Sequence, residues 1–170
     1  MSTKKKNLSK SEGADIPSAE GLKFGIVVSE WNSEITSSLC SAAISTLEEY
    51  GAETEHIIKK FVPGSFELTL GAQWMAEHTA VDAIICLGCV IQGETRHFDF
   101  ICDAVSHGIT QLNIKFSKPI IFGVLTTENM LQAKARAGGK HGNKGVESAV
   151  TAIKMLSLKK SFTHKKKIGY

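Results

Sequence analysis

The sequence predicts a three-layer α/β/α sandwich built on a four-stranded parallel sheet, and three observations carry that prediction. Apolar, strand-like runs alternate with amphipathic helical segments along most of the chain, and glycine or proline punctuates most of the junctions. The third apolar run, AIICLGCVI, lacks polar alternation, as expected of a strand covered by helices on both faces. With 170 residues, 42% of them hydrophobic, the chain suffices for one well-packed core.

The elements follow in order. LKFGIVVSE (22–30) reads as the first strand, and Asn32 to Tyr50 then carries apolar residues at 35, 39, 42, 43, 47 and 50, one face of a helix that Gly51 ends. A second strand over roughly 53–62 stops at Pro63-Gly64, and FELTLGAQWMAEH forms the helix behind it. AIICLGCVI (83–91) is the central strand, followed by a helix from about Glu94 to Phe116. Pro119 precedes a fourth strand, IIFGVLT. Thr127 is placed to cap the next helix, ENMLQAKARA, which Gly138-Gly139 ends. A last helix over about 143–159 sets Val146, Ala149, Val150, Ile153 and Leu156 on one side. The expected organisation is a flexible basic tail (1–20), one domain (21–158) and a lysine-rich C-terminal tail (159–170).

The formal charge of +3 belongs to those ends. Residues 1–20 hold four lysines against three acids and residues 159–170 hold five lysines and no acid, which leaves the body at −3. Neither tail interleaves aromatics with its charges, so a nucleic-acid partner is not expected. No apolar run reaches the eighteen or so residues of a membrane span, and no signal peptide is recognised, so a cytoplasmic location is the default. Cys40, Cys86, Cys89 and Cys102 sit in apolar stretches and are expected to be buried, reduced thiols.

In an open parallel sheet, ligands bind beyond the carboxyl ends of the strands. The unusual residues fall there: Trp31 and Asn32 after the first strand, Pro63 to Glu67 after the second, Gln92 to His97 after the third. Cys86-x-x-Cys89 suggests a redox pair or half a zinc site, with His97, Cys102 and His107 as further ligands. However, strand residues three apart point to opposite faces, and no metal is expected. GGKHGNKG (138–145) departs from a phosphate-binding loop, because Gly145 follows Lys144 and the segment joins two helices. Arg136 and Lys144 there either meet an anion or are surface charges near a helix C-terminus. QGETRHF is the stronger signal. Gly93 permits close backbone approach, the amides of Glu94 and Thr95 with the Thr95 hydroxyl suit a phosphate, and His97 in the following turn suits proton transfer. Trp31 and Phe66 either sandwich a flat heterocycle or enter the core, and Glu67 either caps its helix or receives ligand hydroxyls. Phe122, within the fourth strand, reads on its own as core.

WNSEIT, VPGSFELT, GCVIQGETRHFDF, IFGVLTTEN and ARAGGKHGNKG, in this order over about residues 22–158, resemble the lumazine synthase family. The resemblance implies a flavodoxin-like sheet and a transferase of riboflavin biosynthesis. Such an enzyme condenses 5-amino-6-ribitylaminouracil with 3,4-dihydroxy-2-butanone 4-phosphate to 6,7-dimethyl-8-ribityllumazine, releasing phosphate and water, without a cofactor. It further implies that Trp31, Ser65, Phe66, Glu67, Phe122 and the backbone of Cys89, Val90 and Ile91 bind the uracil substrate. Glu94, Thr95 and Arg136 would hold the phosphate, with Lys144 a further candidate, and His97 would carry protons. Where this family often has phenylalanine after the first strand, the chain has Trp31. The family assembles as pentamers, some packed as sixty-subunit shells, with Phe122 and Arg136 implied to come from the neighbouring subunit; riboflavin synthase is a candidate partner. The rival readings are an archaeal-type riboflavin synthase of the same fold and a flavin-binding or shell-forming protein without turnover.

Overall fold

The structure, a computed structural model, describes residues 16–164. Its elements are β1 (Phe24–Ser29), α1 (Ser33–Glu49), β2 (Ile57–Val62), α2 (Leu68–His78), β3 (Ala83–Ile91), α3 (His97–Phe116), β4 (Ile120–Thr127), α4 (Met130–Arg136), a small hairpin of β5 (Ala137–Gly139) and β6 (Gly142–Asn143), and α5 (Lys144–His164). A single 3-10 turn, Thr54–His56, occupies the expected beginning of the second strand.

The main sheet has the order β2-β1-β3-β4, and its pairs are all parallel. The alternation of side chains along each strand divides the core in two. Ile26, Val28, Ile85, Leu87, Cys89 and Leu125 pack with Leu39, Leu47 and Ile153 of α1 and α5 on one face. Val27, Ile84, Cys86 and Val124 pack with Leu68, Met75, Val105 and Ile109 of α2 and α3 on the other. α5 approaches α1 so closely that a Cβ on Gly145 would overlap the carbonyl oxygen of Leu39.

Four expectations about boundaries change. Thr127 ends β4, paired with Ile91, and the cap of α4 is Asn129, whose side chain accepts from the Gln132 amide at 3.0 Å. α4 stops at Arg136, before Gly138, because the chain turns there into the β5–β6 hairpin. α5 runs through residues 159–164, which the sequence reading assigned to the tail. At the other end Ala19 is fully buried and its amide donates to the Tyr50 carbonyl at 2.7 Å, so Ile16 and Ala19 pack on the domain. The rest of both expected tails lies outside the described residues.

Candidate active site

The strand order reverses between β1 and β3, and at their carboxyl ends lies a cavity of about 670 Å³. Three loops form its wall.

The loop after β1 extends the parallel ladder: Glu30 donates to Val62 at 2.8 Å and Trp31 to Pro63 at 3.1 Å. Asn32 then adopts a left-handed backbone (φ 59°, ψ 45°), a conformation that asparagine tolerates better than most residues. Its side-chain amide crosses to the Cys89 carbonyl at 2.9 Å. Trp31, held at its backbone on both sides, presents a ring that is 73% exposed on the cavity wall.

The loop after β2 seats Ser65 against the central strand. Gly88 makes this approach feasible, since a Cβ there would stand 2.7 Å from the Ser65 hydroxyl oxygen. Phe66 is left 56% exposed on the wall. Glu67 occupies the N-cap position of α2 without a side-chain capping bond, so its carboxylate stays on the wall as well.

The loop after β3 brings Cys89, Val90, Ile91, Gly93, Thr95 and His97 to the same wall. α3 begins at His97 and not at Glu94. The Thr95 hydroxyl accepts from the His97 amide at 3.4 Å, so the residues expected to form the first helical turn form the loop before it. Among the described residues, the amides of 93–96 find no backbone acceptor. Glu94 is exposed and off the cavity wall. Arg96 points to its own helix, 3.9 Å from Asp99 and over the Phe100 ring.

The remaining expected residues lie elsewhere on the chain. Phe122, opposite Cys86 in β4, packs on the α2–α3 side and lines another cavity with Asp99, Phe100 and Thr126. Arg136 and Lys144 line a cavity of about 600 Å³ beside the end of β4, and no residue is shared between it and the first. They are not simple surface charges at a helix C-terminus. Lys144 is the first residue of α5, and both cations meet the buried carboxylate of Glu147. Arg136 Nη2 lies 3.0 and 3.2 Å from its two oxygens, and Lys144 Nζ 3.1 Å from one. Thr127, on the wall of that second cavity, has a buried hydroxyl without a partner among the described residues.

Cys40, Cys86 and Cys89 are buried as expected, whereas Cys102 on α3 is only partly so. Cys86 and Cys89 fall in opposite halves of the core, and burial pushes them up to about 12 and about 11. Among the described residues, no group of three or more His, Cys, Asp or Glu side chains is placed to hold a metal ion. No helix among them is long and apolar enough to cross a membrane.

A family model described as 6,7-dimethyl-8-ribityllumazine synthase matches residues 21–160. The chain belongs to this family. Relatives carrying that name include one from Cytophaga hutchinsonii, 62% identical over 157 residues, which covers 92% of this chain and 98% of the relative. Another, from Porphyromonas gingivalis, is 53% identical over 160 residues (94% and 99%), and one from Parabacteroides distasonis is 52% identical over 158 residues (93% and 99%). The four-stranded parallel sheet between helical layers is the flavodoxin-like fold that the lumazine synthase resemblance implied.

Residues that the sequence reading left without a role stand beside those it singled out. Asn32 was visible as an oddity at the right edge, and an asparagine just past a strand is the available signal. Glu147 reads in sequence as an acid in the first turn of a helix, with nothing to mark its two cationic partners.

Proposed function

We propose that the enzyme condenses 5-amino-6-ribitylaminouracil with 3,4-dihydroxy-2-butanone 4-phosphate to 6,7-dimethyl-8-ribityllumazine. The observation that carries this reading is the meeting of Trp31, Ser65, Phe66, Glu67, the Cys89–Ile91 strand end, Thr95 and His97 around one cavity. The aromatic rings offer a flat surface for the pyrimidine, the strand end and Ser65 offer polar backbone and hydroxyl groups, and Glu67 accepts from ribityl hydroxyls.

The chemistry needs positioning more than power. The uracil's 5-amine attacks the ketone and water leaves as the imine forms; elimination of phosphate leaves an enol that tautomerises to a new ketone, and the ribitylamino nitrogen closes on that carbonyl with loss of another water. Each step moves protons near neutral pH, which suits the imidazole of His97. The amides of Gly93 and Thr95, which find no backbone acceptor, and the Thr95 hydroxyl belong to the same wall and are offered to the phosphate. Holding both reactants in one cavity supplies the rest of the acceleration.

Among the described residues, the cavity wall contains no lysine or arginine, although a phosphate dianion calls for one. Arg136 and Lys144 line a separate cavity on the same chain, and Phe122 lines two others, one of them with Lys144. We infer that a neighbouring copy supplies these side chains to complete each site, in a homo-oligomer of the pentameric type or the sixty-subunit shell built from it. Light scattering on the purified protein distinguishes these assemblies from a monomer, and a monomer with full activity would refute the shared site.

The decisive assay incubates the purified protein with both substrates. Lumazine and phosphate should appear in equal amounts. Conversion of lumazine onward to riboflavin would favour the riboflavin synthase reading, and binding without turnover would favour a flavin-binding or shell-forming protein.

A further inference from the structure

Glu147 is 8% exposed and carries a charge, a combination that is costly unless the charge is met. It is met twice. Arg136 donates through Nη2 to both carboxylate oxygens at 3.0 and 3.2 Å, and Lys144 donates through Nζ at 3.1 Å. A further bond, from Arg136 Nη1 to the His141 carbonyl at 3.0 Å, grips the guanidinium from the hairpin side. The carboxylate stands behind the cations. Arg136 lines the second cavity, Lys144 lines both that one and a smaller one, and Glu147 faces the smaller one with Ser148 and Thr151.

We propose that Glu147 is a positioning residue for the phosphate-bearing substrate: it holds Arg136 and Lys144 in place before that substrate arrives. The proposal rests on the reading of Arg136 as the phosphate's charge partner. Two cations against one carboxylate leave one formal positive charge on this cluster, to which Lys140 on the same wall adds another, with the guanidinium already ordered. An arginine ordered in advance loses less freedom when it binds an anion. Placing Glu147 in the first turn of α5 also offsets the unfavourable position of Lys144 at that helix's positive end.

Removing the carboxylate has two opposed consequences, which makes the proposal decidable. It adds one net positive charge near the phosphate, which by itself would tighten binding. It also leaves two partly buried cations without their anchor, so that they move. Positioning requires the second consequence to dominate.

The test is steady-state kinetics of the full-length protein with each substrate varied in turn, together with competitive inhibition by inorganic phosphate. In Glu147→Gln, an isostere, the KM for the phosphate-bearing substrate and the inhibition constant of phosphate should both rise on the order of tenfold, while the KM for the uracil substrate stays within about twofold. Added to Arg136→Ala, the same change should have little further effect. Glu147→Asp should retain part of the wild-type KM and gives the answer if the Gln variant melts below assay temperature. An unchanged or lowered KM for the phosphate-bearing substrate, or an equal rise for both substrates, overturns the positioning role. If Arg136→Ala itself spares that KM, the phosphate-site reading falls and takes the Glu147 role with it. A selective effect of Arg136→Ala beside a silent Glu147→Gln rejects the Glu147 role alone.

Discussion

Gly88→Ala tests whether packing behind the candidate site controls what happens in it. A Cβ at position 88 would stand 2.9 Å from Leu68 Cδ1, 2.7 Å from Ser65 Oγ and 3.4 Å from Ser65 Cβ. Carbon atoms settle at about 3.5 Å or more, so Leu68 must retreat by roughly 0.6 Å. It has little room, being fully buried at the start of α2, and β3 is paired with β1 and β4 on its two sides. Ser65 can turn its hydroxyl aside, but the displacement of Leu68 passes to the loop that carries Ser65, Phe66 and Glu67. Overpacking of this kind costs about 1–3 kcal/mol. The stiffer backbone of alanine returns about 0.5–1 kcal/mol. A net loss of about 1–2 kcal/mol lowers Tm by roughly 2–8 °C for a domain of this size. Displacement on this scale should raise the KM for the uracil substrate on the order of tenfold and leave that of the phosphate substrate within about twofold. Thermal melts and initial rates of lumazine formation, with each substrate varied, check both parts. A Gly88→Ala protein that melts with the parent and keeps its KM values would show that the Ser65–Leu68 segment yields freely, and would refute the argument.

Three further changes probe other parts of the site. Asn32→Ala removes the 2.9 Å bond to Cys89 and puts alanine in the left-handed region at about 1–2 kcal/mol, whereas Asn32→Gly removes the bond alone. Both should weaken the uracil substrate, with only the alanine variant markedly less stable by urea unfolding. His97→Ala should lower kcat by roughly a hundredfold, at the modest end for proton-transfer groups; an unchanged kcat would exclude its role. For the thiols the sign is that of acids whose folded pKa is raised above the unfolded value. Their contribution to stability is complete below about pH 9 and declines as pH rises towards about 12 for Cys86 and about 11 for Cys89. A thiol reagent at pH 8 should therefore leave both cysteines unmodified in the native protein and modify them after denaturation.

Much of this was legible in the chain itself. Strand and helix periodicities are local properties, and AIICLGCVI or the 3.6-residue spacing in 35–50 needs no partner to be recognised. The site's edge follows from them, because alternating strands and helices in a parallel sheet send successive strand ends to one side. The burial of Cys86 and Cys89 on opposite faces follows from the two-residue strand period alone. The starts and stops of elements were harder. ENMLQAKARA is preceded by two threonines and followed by two glycines, and each end was misplaced. Pairing with β3 holds Thr127 in the strand, and the β5–β6 hairpin takes up the first glycines.

The sequence by itself determined the fold class, the order of elements and the three loops that wall the cavity, since all of these rest on spacings within a few residues. Only the tertiary structure decided that Asn32 ties β1 to β3 and that His97, not Glu94, opens α3. It also decided that Arg136 and Lys144 lie apart from the cavity, facing the carboxylate of Glu147. The physical reason is that such contacts join residues distant along the chain, and their distances are set by how helices and strands pack. No local pattern measures that: Arg136 and Glu147 stand eleven positions apart with a hairpin between them, yet 3.0 Å separates their charged groups.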